Sequence, residues 1–88
     1  MKYCMLLWPH ANVRYQNETL KLAQSELRLM LDVFAPDAQI STYTALNIPA
    51  LAIDLPGGMD AQLLRAVRGH SLLYALMEAR GDGALLPV

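Results

Sequence analysis

Proline and glycine cut this sequence into short periodic segments, and the order of those segments constrains the fold more than any other feature. Lys2 to Trp8 is a continuous apolar run stopped by Pro9, with the length of a strand buried on both faces. Its alternation puts Tyr3, Met5 and Leu7 on one face and Cys4, Leu6 and Trp8 on the other. His10 to Gln16 reads as a polar loop. Asn17 then reads as a helix N-cap, with Glu18 in the first turn, where the helix dipole favours it. Leu20, Ala23, Leu27, Met30 or Leu31, and Phe34 recur at steps of three and four, while Lys21, Gln24, Ser25, Arg28 and Asp32 fill the other side. Pro36 ends that helix.

Ala38 to Tyr43 alternates as a strand with one wetter face, and Asn47 and Pro49 mark a turn. Ala50 to Leu55 is the next strand, closed by Pro56-Gly57-Gly58. Met59 to Arg68 reads as a short helix, with Asp60 at its start, Leu63, Leu64 and Val67 inward, and Gly69 as C-cap. Ser71 to Glu78 is a last strand, apolar on both faces. The order strand, helix, strand, strand, helix, strand predicts an α+β fold. It is the ferredoxin-like βαββαβ arrangement, an antiparallel four-stranded sheet with two helices on one face. Residues 1–80 form this one domain, and residues 81–88, rich in glycine, form an irregular C-terminal tail or interdomain linker.

Composition then asks where the apolar surface goes. Of 88 residues, 55% are hydrophobic and 17% charged, which is apolar for a domain with so much surface to keep wet. Helices cover one sheet face only, yet the first and last strands are apolar on both. The surplus is therefore expected on the open face, with Tyr3, Met5, Leu7, Leu73, Ala75 and Met77 as a partner interface. The alternative is that the tail, with Leu85 and Leu86, folds back over that face.

The net charge of −1 disfavours tight autonomous nucleic-acid binding. One local exception is expected. The end of the first strand lies beside the start of the last, which brings His10, Arg14, Arg68 and His70 near one another. Such a cluster is suited to phosphate or RNA, although four unrelated surface residues explain the same spacing. The single cysteine, Cys4, excludes an internal disulfide and a cysteine-based zinc site. It reads as a small buried hydrophobe rather than a nucleophile. No apolar run approaches a membrane span, and no metal-ligand pattern, phosphate-cradling loop or dinucleotide motif is present. The chain is expected to be cytoplasmic, without membrane contact. Whether it belongs to an enzyme is left open, because it carries no catalytic motif.

Two stretches carry a family resemblance. Tyr3 to Trp8 followed by Ala23-Gln24-Ser25-Glu26-Leu27-Arg28-Leu29-Met30-Leu31, and Leu64-Arg65-Ala66-Val67-Arg68-Gly69-His70-Ser71-Leu72-Leu73-Tyr74-Ala75-Leu76, together resemble the N-terminal ferredoxin-like domain of the THUMP-containing tRNA guanosine-10 N2-methyltransferases. The resemblance implies a non-catalytic accessory or structural domain of an RNA-modifying enzyme, next to THUMP and methyltransferase domains. It implies weak RNA contact at most. S-adenosylmethionine would belong to the parent enzyme, with no cofactor in this chain and no catalytic residue to carry over. The alternative function is a stand-alone ferredoxin-like interaction module that pairs with a second copy of itself.

Overall fold

The computed structural model describes residues 1–45 and 47–88. Its elements are β1 (Lys2–Leu7), α1 (Val13–Phe34), β2 (Gln39–Ala45), β3 (Ile48–Asp54), α2 (Ala61–Arg68), β4 (Leu73–Ala79) and β5 (Leu85–Pro87). The strands make one sheet in the order β2-β3-β1-β4-β5, with every neighbouring pair antiparallel. The class is α+β, and the sheet has five strands where the sequence predicts four.

The fifth strand comes from the segment read as an irregular tail. Arg80-Gly81-Asp82-Gly83-Ala84 reverses the chain: Gly83 takes φ 88°, and the Arg80 N–H donates to the Ala84 carbonyl at 2.8 Å. Asp82 Oδ1 accepts the Ala84 N–H at 3.0 Å. Leu85 then returns opposite Ala79, with Leu86 opposite Glu78 and Pro87 opposite Met77. An Asp-Gly turn after a strand is a hairpin signal, so the feature was present in the sequence.

α1 also begins earlier than its apolar period suggests. Asn12, not Asn17, is the N-cap: its backbone is extended and its side chain accepts the Arg14 N–H at 3.0 Å. The loop before it is tied by its own polar groups. His10 Nδ1 accepts the Asn12 N–H, and Gln16 Oε1 accepts the His10 N–H. At its other end α1 stops before Pro36, with the Ala35 N–H closing on the Leu31 carbonyl at 2.7 Å. α2 is capped as its sequence predicts, with Asp60 Oδ1 accepting from Leu63 N at 2.8 Å and Gly69 at the C-cap. Asn47 adopts φ 64°, a left-handed conformation that asparagine tolerates. Pro49 lies inside β3, at a position beyond the last residue of the β1 pairing, where its missing N–H costs that neighbour nothing.

Both helices pack on one face of the sheet. The core joins Tyr3, Met5 and Leu7 of β1, Leu51 and Ile53 of β3 and Leu76 of β4 to Ala23, Leu27 and Leu31 of α1 and Leu63 and Val67 of α2. β4 carries a bulge: Leu6 pairs with Ala75 and Leu7 with Leu73, leaving Tyr74 as the extra residue.

Candidate interaction surface

Pleat parity decides which predicted interface residues a partner can reach. Tyr3, Met5 and Leu7 fall on the helix side and are core residues, so the expectation that they line the open face is corrected. Leu73 also packs against the helix-side core. Ala75 and Met77 do lie on the open side, where they flank a small cluster of Cys4, Leu6 and Ala50. The physical reason is that side chains alternate strictly along a strand, so the face the helices choose fixes all of β1 at once.

The centre of the open face is buried within its own chain. Cys4 is 0% exposed although no helix lies above it. Ile48, Ala75, Met77 and Leu85 surround the cluster, so the tail supplies part of the cover through Leu85. Tyr43 shares the open face with Ala50 by register, at the edge of the sheet. Burial raises the Cys4 pKa, and the side-chain hydrogen bond with Tyr43 partly opposes that rise. Burial, then the hydrogen bond to Cys4 and its charge, push the Tyr43 hydroxyl up to about 12.

A stripe of exposed apolar side chains lies on the outer side of α1. Tyr15, Leu22, Leu29 and Val33 follow one another at steps of seven, seven and four, and are between 51 and 76% exposed. These spacings put all four on one helical stripe, turned away from the Ala23, Leu27 and Leu31 row that faces the sheet. Reading this side of the helix as purely polar missed them. The heptad step from Tyr15 to Leu22 to Leu29 is the signal that would have found them. Trp8 and Tyr74, both exposed, meet at one end of the sheet with ring centroids 4.6 Å apart. Between α1 and β2 runs a groove of about 550 Å³ lined by Gln24, Ser25, Arg28, Leu29, Gln39 and Ile40. Arg28 braces its wall. Its Nε donates to Asp32 Oδ1 at 3.0 Å and its Nη1 to the Ala38 carbonyl at 2.8 Å.

The four residues expected to form a cationic cluster are held by different partners. Exposed His10 belongs to the α1 capping loop and lies edge-on to Tyr15. Arg14 lies 3.7 Å from Glu18, and Arg68 donates to the Val88 carbonyl at 2.6 Å. His70 is buried. Its Nδ1 accepts the Leu72 N–H at 3.1 Å, which leaves the ring proton on Nε2. Nε2 is 3.1 Å from Glu26 Oε2, close in distance but off the line that a hydrogen bond requires. The buried ring facing a carboxylate ties α1 to the start of β4, and each of the four side chains expected to cluster is engaged with a different neighbour.

No helix among the described residues is long and apolar enough to cross a membrane. Among the same residues, no three His, Cys, Asp or Glu side chains are grouped to hold a metal ion. Compared with protein-family models, curated proteins and solved structures, the chain matches none.

Proposed function

We propose that this chain is a non-catalytic interaction domain working within a tRNA-modifying methyltransferase. The observation that carries the interaction reading is the α1 stripe of Tyr15, Leu22, Leu29 and Val33, whose exposure is the kind a partner surface covers. The order β2-β3-β1-β4 of the first four strands supports a ferredoxin-like unit extended by β5. The setting rests on the resemblance of the first strand, Ala23 to Leu31 and Leu64 to Leu76 to the THUMP-containing guanosine-10 N2-methyltransferases. In that setting the domain is cytoplasmic, S-adenosylmethionine binds elsewhere in the parent enzyme, and the chain docks on a neighbouring THUMP or methyltransferase domain. Docking or dimerisation through the open sheet face is the weaker form of this reading, because Leu85 packs there and Cys4, Leu6 and Ala50 are already buried.

A THUMP–methyltransferase fragment of that family, supplied in trans, tests the proposal. It is expected to bind the wild-type chain and to lose the Leu29→Glu/Val33→Glu variant. Equal binding of both would remove the stripe from the docking surface, and no binding of either would remove the methyltransferase setting. The chain alone should bind tRNA only in the salt-dependent range of roughly 10⁻⁴ to 10⁻⁶ M. Nanomolar, base-specific binding would contradict an accessory role.

A further inference from the structure

The two edges of the sheet are built differently. β5 is three residues long and includes Pro87, both devices that blunt an edge against pairing. β2, at the other edge, runs seven residues as Gln-Ile-Ser-Thr-Tyr-Thr-Ala. It contains no proline, no lysine and no acid, and it is rich in the β-branched and aromatic types that favour strands. Among the described residues its outer row of N–H and C=O groups has no partner strand, because β3 is its neighbour on the other side. Such an edge is a template for one more strand.

We infer that β2 pairs with β2 of a second copy of this chain, antiparallel about a two-fold axis at Thr42, forming a continuous ten-stranded sheet. The strand is its own complement. An odd number of residues places Thr42 against its own copy, Ile40 against Thr44 and Ser41 against Tyr43. Register with β3 assigns Ile40, Thr42 and Thr44 to the helix side, since Thr42 lies opposite Leu51 and Ile40 opposite Ile53. Ser41 and Tyr43 take the other side, opposite Ala52 and Ala50. Thr–Thr and aromatic–hydroxyl neighbours are favourable cross-strand pairs, and like charges, which oppose pairing, never meet. On the helix side Arg28 is already neutralised by Asp32 at 3.0 Å. The Thr44 end of the partner strand arrives beside Ile40, at the groove that Leu29 also lines. The arrangement closes on itself as a two-fold interface, so it yields a dimer rather than a fibre.

Interface size sets the strength. Seven residues make a ladder about 24 Å long, and a strip about 10 Å wide along it covers about 240 Å² per copy, well below the roughly 800 Å² of a standard stable interface. The dimer is therefore weak and reversible.

Sedimentation equilibrium of the intact chain from micromolar to millimolar concentration tests the pairing. Wild type should show a monomer–dimer equilibrium. Thr42→Lys and Thr42→Glu should each weaken it at least tenfold while keeping the circular dichroism of the folded chain, and an equimolar mixture of the two should dimerise again. A wild type that stays monomeric at millimolar concentration overturns the inference. So does a Thr42→Lys chain that dimerises as wild type, or a mixture that does not recover. Loss of association in Leu29→Glu but not in Thr42→Lys would assign the contact to the α1 stripe and equally overturn it.

Discussion

Removal of Tyr43 should unmask Cys4. Tyr43 is 38% exposed, so about three-fifths of its side chain is covered. A fully buried tyrosine removes roughly 150–250 Å² from water, which makes the covered part about 90–150 Å². At about 25 cal/mol per Å², and with the reduction owed to a compact unfolded state, Tyr43→Ala costs about 2–3 kcal/mol. If Tyr43 is the cover over Cys4, the same energy holds the thiol closed, and its loss corresponds to about a 30- to 150-fold faster thiol modification. The assay is the rate of reaction with a chromogenic disulfide, followed at several low urea concentrations. In Tyr43→Ala the rate should be high and flat with urea, because the thiol is exposed without unfolding. Tyr43→Phe keeps the ring and should stay protected, losing only about 1 kcal/mol with the hydroxyl. Leu27→Ala, on the other side of the sheet, should destabilise by about 2–5 kcal/mol yet give labelling that climbs with urea as global unfolding does. The reasoning fails if Tyr43→Ala labels no faster than wild type, or if its labelling follows the urea dependence of Leu27→Ala.

Other outcomes follow from the same structure. Stability should fall at alkaline pH: the fold holds the protons of Cys4 and Tyr43 more tightly than the unfolded chain does, so their contribution is intact below about pH 9 and is lost as pH rises through the folded values, most steeply from about 10 to 12. Thermal melts across that range check it, and a Cys4→Ala/Tyr43→Phe chain should show a flatter profile. Asp60→Ala removes the N-cap of α2 and should cost about 1 kcal/mol, a fall in Tm of about 4–8 °C read by circular dichroism. An unchanged melt would mean that Asp60 does not hold the Leu63 N–H in solution. Leu29→Glu and Val33→Glu, on the exposed stripe, should each move stability by no more than about 0.5 kcal/mol; a larger loss would mean that the stripe is packed within the chain.

Much of this fold is written in local pattern. The alternation of Tyr3 to Leu7, the three-and-four spacing of Ala23, Leu27 and Leu31, and the Asp60 and Gly69 caps each place an element without reference to any other, because periodicity and capping are properties of neighbouring residues. The α1 stripe is equally legible, since Tyr15, Leu22 and Leu29 stand seven apart. The start of α1 was missed because Asn12 and Asn17 are equivalent by type, and only the loop bonds of His10 and Gln16 select the first.

Local pattern alone makes β1 apolar on both faces, calls for two amphipathic helices over a sheet, and leaves more apolar surface than one helix-covered face absorbs. Long-range packing chose which side of β1 the helices take, and with it that Tyr3, Met5 and Leu7 are core while Cys4 and Leu6 lie on the open side. It also decided that Leu85 packs against that open side, that His70 turns inward to Glu26, and that β2 rather than β5 is the unprotected edge. These are contacts between residues far apart in the chain, and alternation gives each strand two equivalent faces until packing chooses between them.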